Sequence, residues 1–238
     1  MRSSGHRVLI TGGSRGIGLA LARRFHANGN SVLLVGRDEA ALAAAVANMP
    51  GARYRVADLT HAQDREALVR ECSDVSVLVN NAGVQVNGEF RQLPAERIDS
   101  ELQLNLFAPL QLTHALLPTL AAAPEAAVIN VTSVLALVPK PSAAVYCASK
   151  AALHSFTQAL RWQLEGTPVR VFELMPPLVD TAMTTGRGSG KLAPEAVAAA
   201  FWQGYLRDQA TIKVGKAKAA SVLARVAPSV AERIMRKG

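Results

Sequence analysis

The chain has 238 residues, half of them apolar, enough for one large core, and a formal net charge of +8. Its two cysteines, Cys72 and Cys147, are too few for a disulfide scaffold, and the five scattered histidines add no metal-ligand spacing, which argues against a zinc enzyme. No run reaches the roughly eighteen apolar residues of a membrane helix, and MRSSGHRVLITGG lacks the long apolar stretch of a secretory signal, so a soluble, cytoplasmic chain is expected.

Short β-rich runs alternate with longer helical patterns. Strands are expected at residues 7–11, 31–35, 53–57, 75–80, 127–132, 169–174 and 211–214, and helices at 17–28, 38–48, 62–71, 95–122 and 148–165. Several strand segments are nearly continuous apolar runs, which suits strands buried on both faces of a parallel sheet. The alternation predicts an α/β fold, a doubly wound parallel sheet of about seven strands flanked by helices. No repeat, linker or low-complexity block interrupts residues 1–238, so one domain is expected to cover the chain.

The first strand runs into Thr11-Gly12-Gly13-Ser14-Arg15-Gly16-Ile17-Gly18, and a helix follows. Glycines also serve ordinary tight turns, but between a strand and a helix they let the backbone approach a pyrophosphate at a helix N-terminus. Gly12, Ser14, Arg15, Gly16, Ile17 and Gly18 are therefore expected to bind a dinucleotide. An NAD site usually has an acid about twenty residues on, holding the ribose hydroxyls. Here the second strand ends in Gly36-Arg37, and Arg15 is a second cation with the same reach. Two guanidinium groups suit a 2′-phosphate, so NADP(H) is expected over NAD(H), unless Asp38 turns inward onto the ribose.

Further along, Tyr146 and Lys150 are four residues apart in VYCASK, which on a helix puts both on one face, one turn apart. A surface turn with both tips in water would give the same pair. Ser133 stands thirteen residues earlier, at the end of a predicted strand, where ligands collect in open α/β sheets. Asn105 precedes Pro109 by four residues; proline has no N–H, so the Asn105 carbonyl loses its usual helical partner.

These elements in this order, with Asp58-Leu59 after the third strand and Asn80-Asn81-Ala82-Gly83 after the fourth, resemble the short-chain dehydrogenase/reductase family from about residue 6 to the end. The sequence is similar to its bacterial branch associated with lipoteichoic-acid D-alanylation operons, a gene-context label that carries no substrate. The resemblance implies a Rossmann fold, with Asp58 and Leu59 bracketing adenine and Asn81, Ala82 and Gly83 along the ribose side. It implies a catalytic set of Ser133, Tyr146, Lys150 and Asn105, with Tyr146 and Lys150 also touching the cofactor. Pro176, Val179 and Thr181 would meet the nicotinamide, with Pro177 standing where the family usually has glycine. The implied reaction is hydride transfer between the nicotinamide and a carbonyl or alcohol, with Tyr146 as general acid/base. Bringing a tyrosine from about 10 to near 7 requires about 4 kcal/mol of phenolate stabilisation, expected from the Lys150 ammonium and the oxidised nicotinamide ring. A dinucleotide-binding sensor or scaffold without turnover is the alternative.

The apolar segment 134–139 is expected to wall the substrate pocket and residues 184–195 to act as a lid, with Arg187 and Lys191 either favouring an anionic substrate or simply solvated. Residues 213–238 carry seven basic side chains against Glu232 alone. No nucleic-acid motif accompanies them, and interleaved valines leave two readings: an amphipathic tail packed on this chain or a partner, or weak contact with a membrane surface. The apolar wall at 134–139 suggests a small, apolar carbonyl or alcohol as substrate, and the broad apolar surface of the helices carrying Asn105 and Tyr146, with the resemblance, implies a homodimer or homotetramer.

Overall fold

Seven apolar runs pair into one parallel sheet in the computed structural model, which describes residues 1–236. Lys237 and Gly238, the end of the expected basic tail, lie outside the described residues. The strands are β1 (Arg7–Thr11), β2 (Ser31–Gly36), β3 (Arg53–Val56), β4 (Val77–Asn80), β5 (Ala126–Val131), β6 (Val169–Met175) and β7 (Thr211–Lys213), in the spatial order β3-β2-β1-β4-β5-β6-β7. Every residue of β4 and β5 is buried, as continuous apolar runs between two helical layers require.

One layer holds α1 (Gly16–Ala27), α2 (Glu39–Val46) and α7 (Pro194–Leu206). Its core is aromatic: Phe25 on α1 meets Trp202 edge-on at 5.2 Å and Tyr205 at 5.5 Å, and Tyr205 reaches Phe172 of β6 at 5.2 Å. The other layer is aliphatic, with Leu68 of α3 (Ala62–Glu71), Leu112 and Leu116 of α5 (Ala108–Ala122) and Leu160 of α6 (Ala144–Gln163) against β4 and β5. α4 (Ala95–Leu102) enters α5 through a single π turn, Gln103–Phe107, in which the Ala108 N–H donates to Gln103 O. This widened turn is how the helix accommodates Pro109, which cannot donate.

The strand expectations hold to within two residues. α6 starts four residues earlier than the sequence pattern suggests, so Tyr146 and Lys150 both lie on it. The tail folds as two helices, α8 (Lys216–Val226) and α9 (Pro228–Met235), broken at Ala227-Pro228. No helix of the described residues is long and apolar enough to cross a membrane.

Candidate active site

β1 connects to β2 on one side of the sheet, whereas β4 lies on its other side, which makes the β1/β4 gap the place where open α/β sheets take ligands. A cleft of about 860 Å³ opens there, within the range of ligand sites. Loops after both strands are tied across the gap. Thr11 Oγ1 accepts from the Asn81 and Ala82 N–H groups at 3.0 Å each, and Asn81 Nδ2 donates to Thr11 O at 2.9 Å.

The glycine loop is packed to its limit. Gly12 has φ +64°, and a Cβ on it would stand 3.0 Å from Ala82 Cα; a Cβ on Gly18 would stand 2.2 Å from Gly12 O. No side chain caps α1, so its first N–H groups, at Gly16 and Ile17, remain available beside the cleft those residues line. Gly12, Ser14 and Arg15 line the same wall. Backbone donors, a positive helix end and no carboxylate within the loop fit a dinucleotide diphosphate.

At the far end of this wall stand two ion pairs. Arg15 Nη2 meets Asp38 Oδ2 at 3.0 Å, and Arg37 Nη1 meets Asp58 Oδ2 at 3.5 Å. Asp38 also caps α2 through Ala41 N–H at 3.0 Å, which holds it at the helix end beside Arg15. Asp58 Oδ1 accepts from Thr60 N at 3.0 Å and Thr60 Oγ1 at 2.8 Å. These Thr60 bonds and Arg37 overcome the effect of burial and hold its carboxyl below the ordinary value. Leu59, Asn81, Ala82 and Gly83 complete this part of the lining.

At the other end, Ser133, Tyr146 and Lys150 line the cleft together. β5 ends just before Ser133, whose hydroxyl accepts from Leu135 N–H at 3.1 Å. Lys150 Nζ donates to Val131 O at 2.8 Å and lies 5.9 Å from the Tyr146 ring centre. Burial pushes the Tyr146 hydroxyl up to about 12, against hydrogen bonding to Ser133 and the positive field of Arg187. Burial pushes Lys150 down to about 8, opposed by Glu101. Among the protein's own groups, then, desolvation outweighs the acidifying contacts with Ser133 and Arg187, and the tyrosine is held neutral.

Asn105 is fully buried and its side chain is committed to structure. Its Oδ1 accepts from Val84 N–H at 2.9 Å, while Nδ2 donates to Val84 O at 2.8 Å and to Ser149 Oγ at 3.2 Å. It thereby clamps the loop after β4 to α6.

Pro176, Pro177, Val179 and Thr181 also line the cleft, and Thr181 presses on the glycine loop: a Cβ on Gly16 would stand 3.0 Å from Thr181 Cγ2. The segment expected as a lid is anchored at both ends. Val179 pairs with Leu192, Asp180 N–H donates to Leu192 O at 2.8 Å, and Thr184 Oγ1 donates to Val179 O at 2.5 Å. Lys191 is drawn away to Thr184 O at 2.6 Å, whereas Arg187 lines the cleft.

Several residues in and around the site escape sequence reasoning, Glu101, Lys140 and Met235 among them. Glu101, one turn before Asn105, is fully buried, accepts from Val86 N–H at 3.2 Å through Oε1 and leaves Oε2 without a partner. Its burial raises the carboxyl above the ordinary value, with Lys150 pulling the other way. Its signal in the sequence is an acid on the buried face of an amphipathic helix. Lys140 and Met235, unlike Glu101, line the cleft itself, and no local motif marks either. Among the described residues no cluster of His, Cys, Asp or Glu could hold a metal ion.

Residues 6–191 match the family described as short chain dehydrogenase. The chain is 44% identical over 189 residues to the uncharacterized oxidoreductase DltE of Bacillus subtilis (strain 168), covering 77% of this chain and 75% of the relative. A short chain dehydrogenase from Burkholderia cenocepacia J2315, solved in complex with NADP, superposes with a TM-score of 0.90 at 26% identity, covering 99% of each chain. A 3-ketoacyl-(acyl-carrier-protein) reductase from Brucella melitensis, complexed with NADH, gives 0.84 at 26% identity over 90% of this chain and 98% of the other. Sequence match and fold agree over most of the chain: it belongs to the short chain dehydrogenase family of oxidoreductases.

Proposed function

We propose that the protein is an NADP(H)-dependent reductase of carbonyl compounds, working in reverse on the alcohols, with Tyr146 as general acid/base. The observation that carries this reading is the shared wall of Ser133, Tyr146 and Lys150 in a cleft whose other end is the uncapped glycine loop. Gly12, Ser14, Arg15, Gly16, Ile17 and Gly18 would hold the diphosphate. Asp58, Leu59, Asn81, Ala82 and Gly83 would flank the adenosine, and Pro176, Val179 and Thr181 the nicotinamide. When bound, the cofactor supplies the hydride.

Ser133 orients the substrate oxygen, and Tyr146, neutral at physiological pH, donates its proton to it. Lys150, with a value near 8, can give up a proton near neutral pH and restore the tyrosine. With the Asn105 side chain occupied by Val84 and Ser149, its main-chain carbonyl, which Pro109 four residues on cannot serve, would hold the water that recharges Lys150. Arg15 in the glycine loop and Arg37 after β2 favour a 2′-phosphate, and both carboxylate oxygens of Asp38 already have partners, the Ala41 N–H and Arg15. We read the assembly as a cytoplasmic homodimer or homotetramer, supported by exposed Phe107 in the π turn and exposed Trp162 on α6, which light scattering would test.

The test is cofactor oxidation with NADPH and NADH over a panel of ketones and aldehydes, in wild type, Tyr146→Phe and an Arg15→Ala/Arg37→Ala double variant. Tyr146→Phe should lose about 10²–10⁴-fold in turnover while keeping cofactor affinity. The double variant should raise the KM for NADPH and leave that for NADH unchanged. Wild-type turnover in Tyr146→Phe would overturn the assignment of the acid, and equal KM effects on both cofactors would overturn the NADP preference.

A further inference from the structure

Resting on the reductase reading, we propose that the substrate carries an anionic group, a carboxylate or sulfonate near its carbonyl, and that Arg187 binds it. The acids lining the cleft, Asp38 and Asp58, stand at the adenosine end and are paired with Arg15 and Arg37. Around Ser133 and Tyr146 the charged lining residues other than Lys150 are Lys140 and Arg187, both cations, and neither has an ion-pair partner among the described residues. A neutral apolar substrate would leave both without use.

Arg187 carries the argument furthest. Its Nη2 donates to Gln85 O at a long 3.4 Å, while Nη1 is buried and has no acceptor. A guanidinium N–H taken from water without an acceptor is costly, and an anion in the cleft is the group that would relieve it. The contrast with Lys191 is informative, because that ammonium is bound by Thr184 O and approaches Asp180 at 3.7 Å. Arg187 also acts electrostatically on the Tyr146 hydroxyl, which puts it at the reacting end of the cleft rather than the adenosine end.

The loop presents this side chain from a tied backbone. Arg187 N–H donates to Thr184 O at 3.0 Å, and Gly188, at φ +54°, is packed so closely that a Cβ would stand 2.6 Å from Leu178 Cδ2. Leu135, Leu178 and Met235 supply apolar lining between the polar groups. The chemistry that matches is a small oxo-acid: a carbonyl oxygen for Ser133 and Tyr146, a short apolar spacer, and a planar or tetrahedral anion for a guanidinium fork.

The test compares oxo-carboxylates of short, medium and long spacer with their methyl esters, which present the same carbonyl. In wild type the best acid should exceed its ester in kcat/KM by about ten- to a hundredfold, as a charge-assisted hydrogen bond predicts. Arg187→Gln should bring that ratio near unity by raising KM for the acid, with KM for NADPH unchanged and the melting temperature no lower, and Arg187→Lys should restore part of it. Equal or better turnover of the esters would overturn the proposal, as would an Arg187→Gln variant that weakens NADPH as much as the acid. If neither member of any pair is reduced, the reductase reading fails on these carbonyls. Calorimetric titration of the same acids and esters into wild type and Arg187→Gln still decides the anion site, through selective binding of acids that the variant loses, or its absence.

Discussion

Replacing Lys150 by Met should make the protein more stable while it abolishes turnover. Lys150 is 4% exposed, so its ammonium has little water to screen it. The drop from the ordinary 10.5 to about 8 corresponds to about 3 kcal/mol of penalty on the charged form in the folded state. Methionine removes that penalty, but strips Val131 O of its donor, which costs about 1 kcal/mol. The net gain of about 2 kcal/mol should appear as a melting temperature raised by roughly 4–8 °C near pH 7 for a chain of this size. The pH dependence fixes the cause. Below about 8 the lysine is charged in both folded and unfolded chains and the penalty is full; it is relieved between about 8 and 10.5, so the advantage of methionine should shrink over that window. Thermal unfolding followed by circular dichroism from neutral to alkaline pH, beside NADPH oxidation at neutral pH, reads both quantities. A Lys150→Met protein that melts no higher than wild type, or keeps the same advantage above pH ~10.5, would refute the burial argument.

Two other substitutions probe the frame of the site. Gly18→Ala would put a methyl group 2.2 Å from Gly12 O and 2.5 Å from Asn81 Nδ2. The loop must shift to admit it, so affinity for NADPH measured by fluorescence titration should fall at least about tenfold and stability by about 1–3 kcal/mol; unchanged binding would show that the loop gives freely. His154 Nδ1 on α6 donates to Glu173 Oε1 at 2.8 Å, an oxygen that also accepts from Thr132 Oγ1 at 2.7 Å. The Glu173 bond raises His154 above its ordinary 6.5, so its contribution is full below that value and is lost as pH rises through the folded one. The gap in melting temperature between wild type and His154→Gln should therefore close on going from mildly acidic to alkaline buffer, and a gap that widens would contradict the sign.

Periodicity and punctuation made most of the frame legible. Continuous apolar runs mark strands such as β4 and β5 because burial on both faces leaves no alternation to preserve. The glycine loop could be read because close backbone approach admits only hydrogen at Gly12 and Gly18. α7 is absent from the sequence reading, since PEAVAAAFWQGYL is apolar nearly all round and follows a glycine-rich loop read as running to residue 195. Sequence also named Tyr146 and Lys150 as a pair, yet missed Glu101, which acts on Lys150 from a different helix. Met235 reaches the cleft from the end of the chain. Such residues meet the site through tertiary packing, and no spacing in the chain encodes that. The burial that raises Tyr146 and lowers Lys150 was not legible for the same reason: desolvation is set by surroundings that only the fold assembles.

Asn80 of β4 and Asn130 of β5 are paired in register, and their side chains meet at 2.8 Å. Asn80 continues to Thr113 on α5 at 3.1 Å and Asn130 to Thr157 on α6 at 2.9 Å. Hydrophobicity discriminates poorly between alignments of two strands apolar on both faces, since a slipped pairing still buries apolar side chains. Amides do discriminate, because any slip leaves fully desolvated donors and acceptors unmatched. The four side chains thus act as an alignment key for the middle of the sheet. A one-residue slip would move one strand end about 3.3 Å along the other. It would carry Ser133 past the loop of Asn81 and Gly83, so the accuracy of the cleft is set one layer below it, by groups that never touch what it binds.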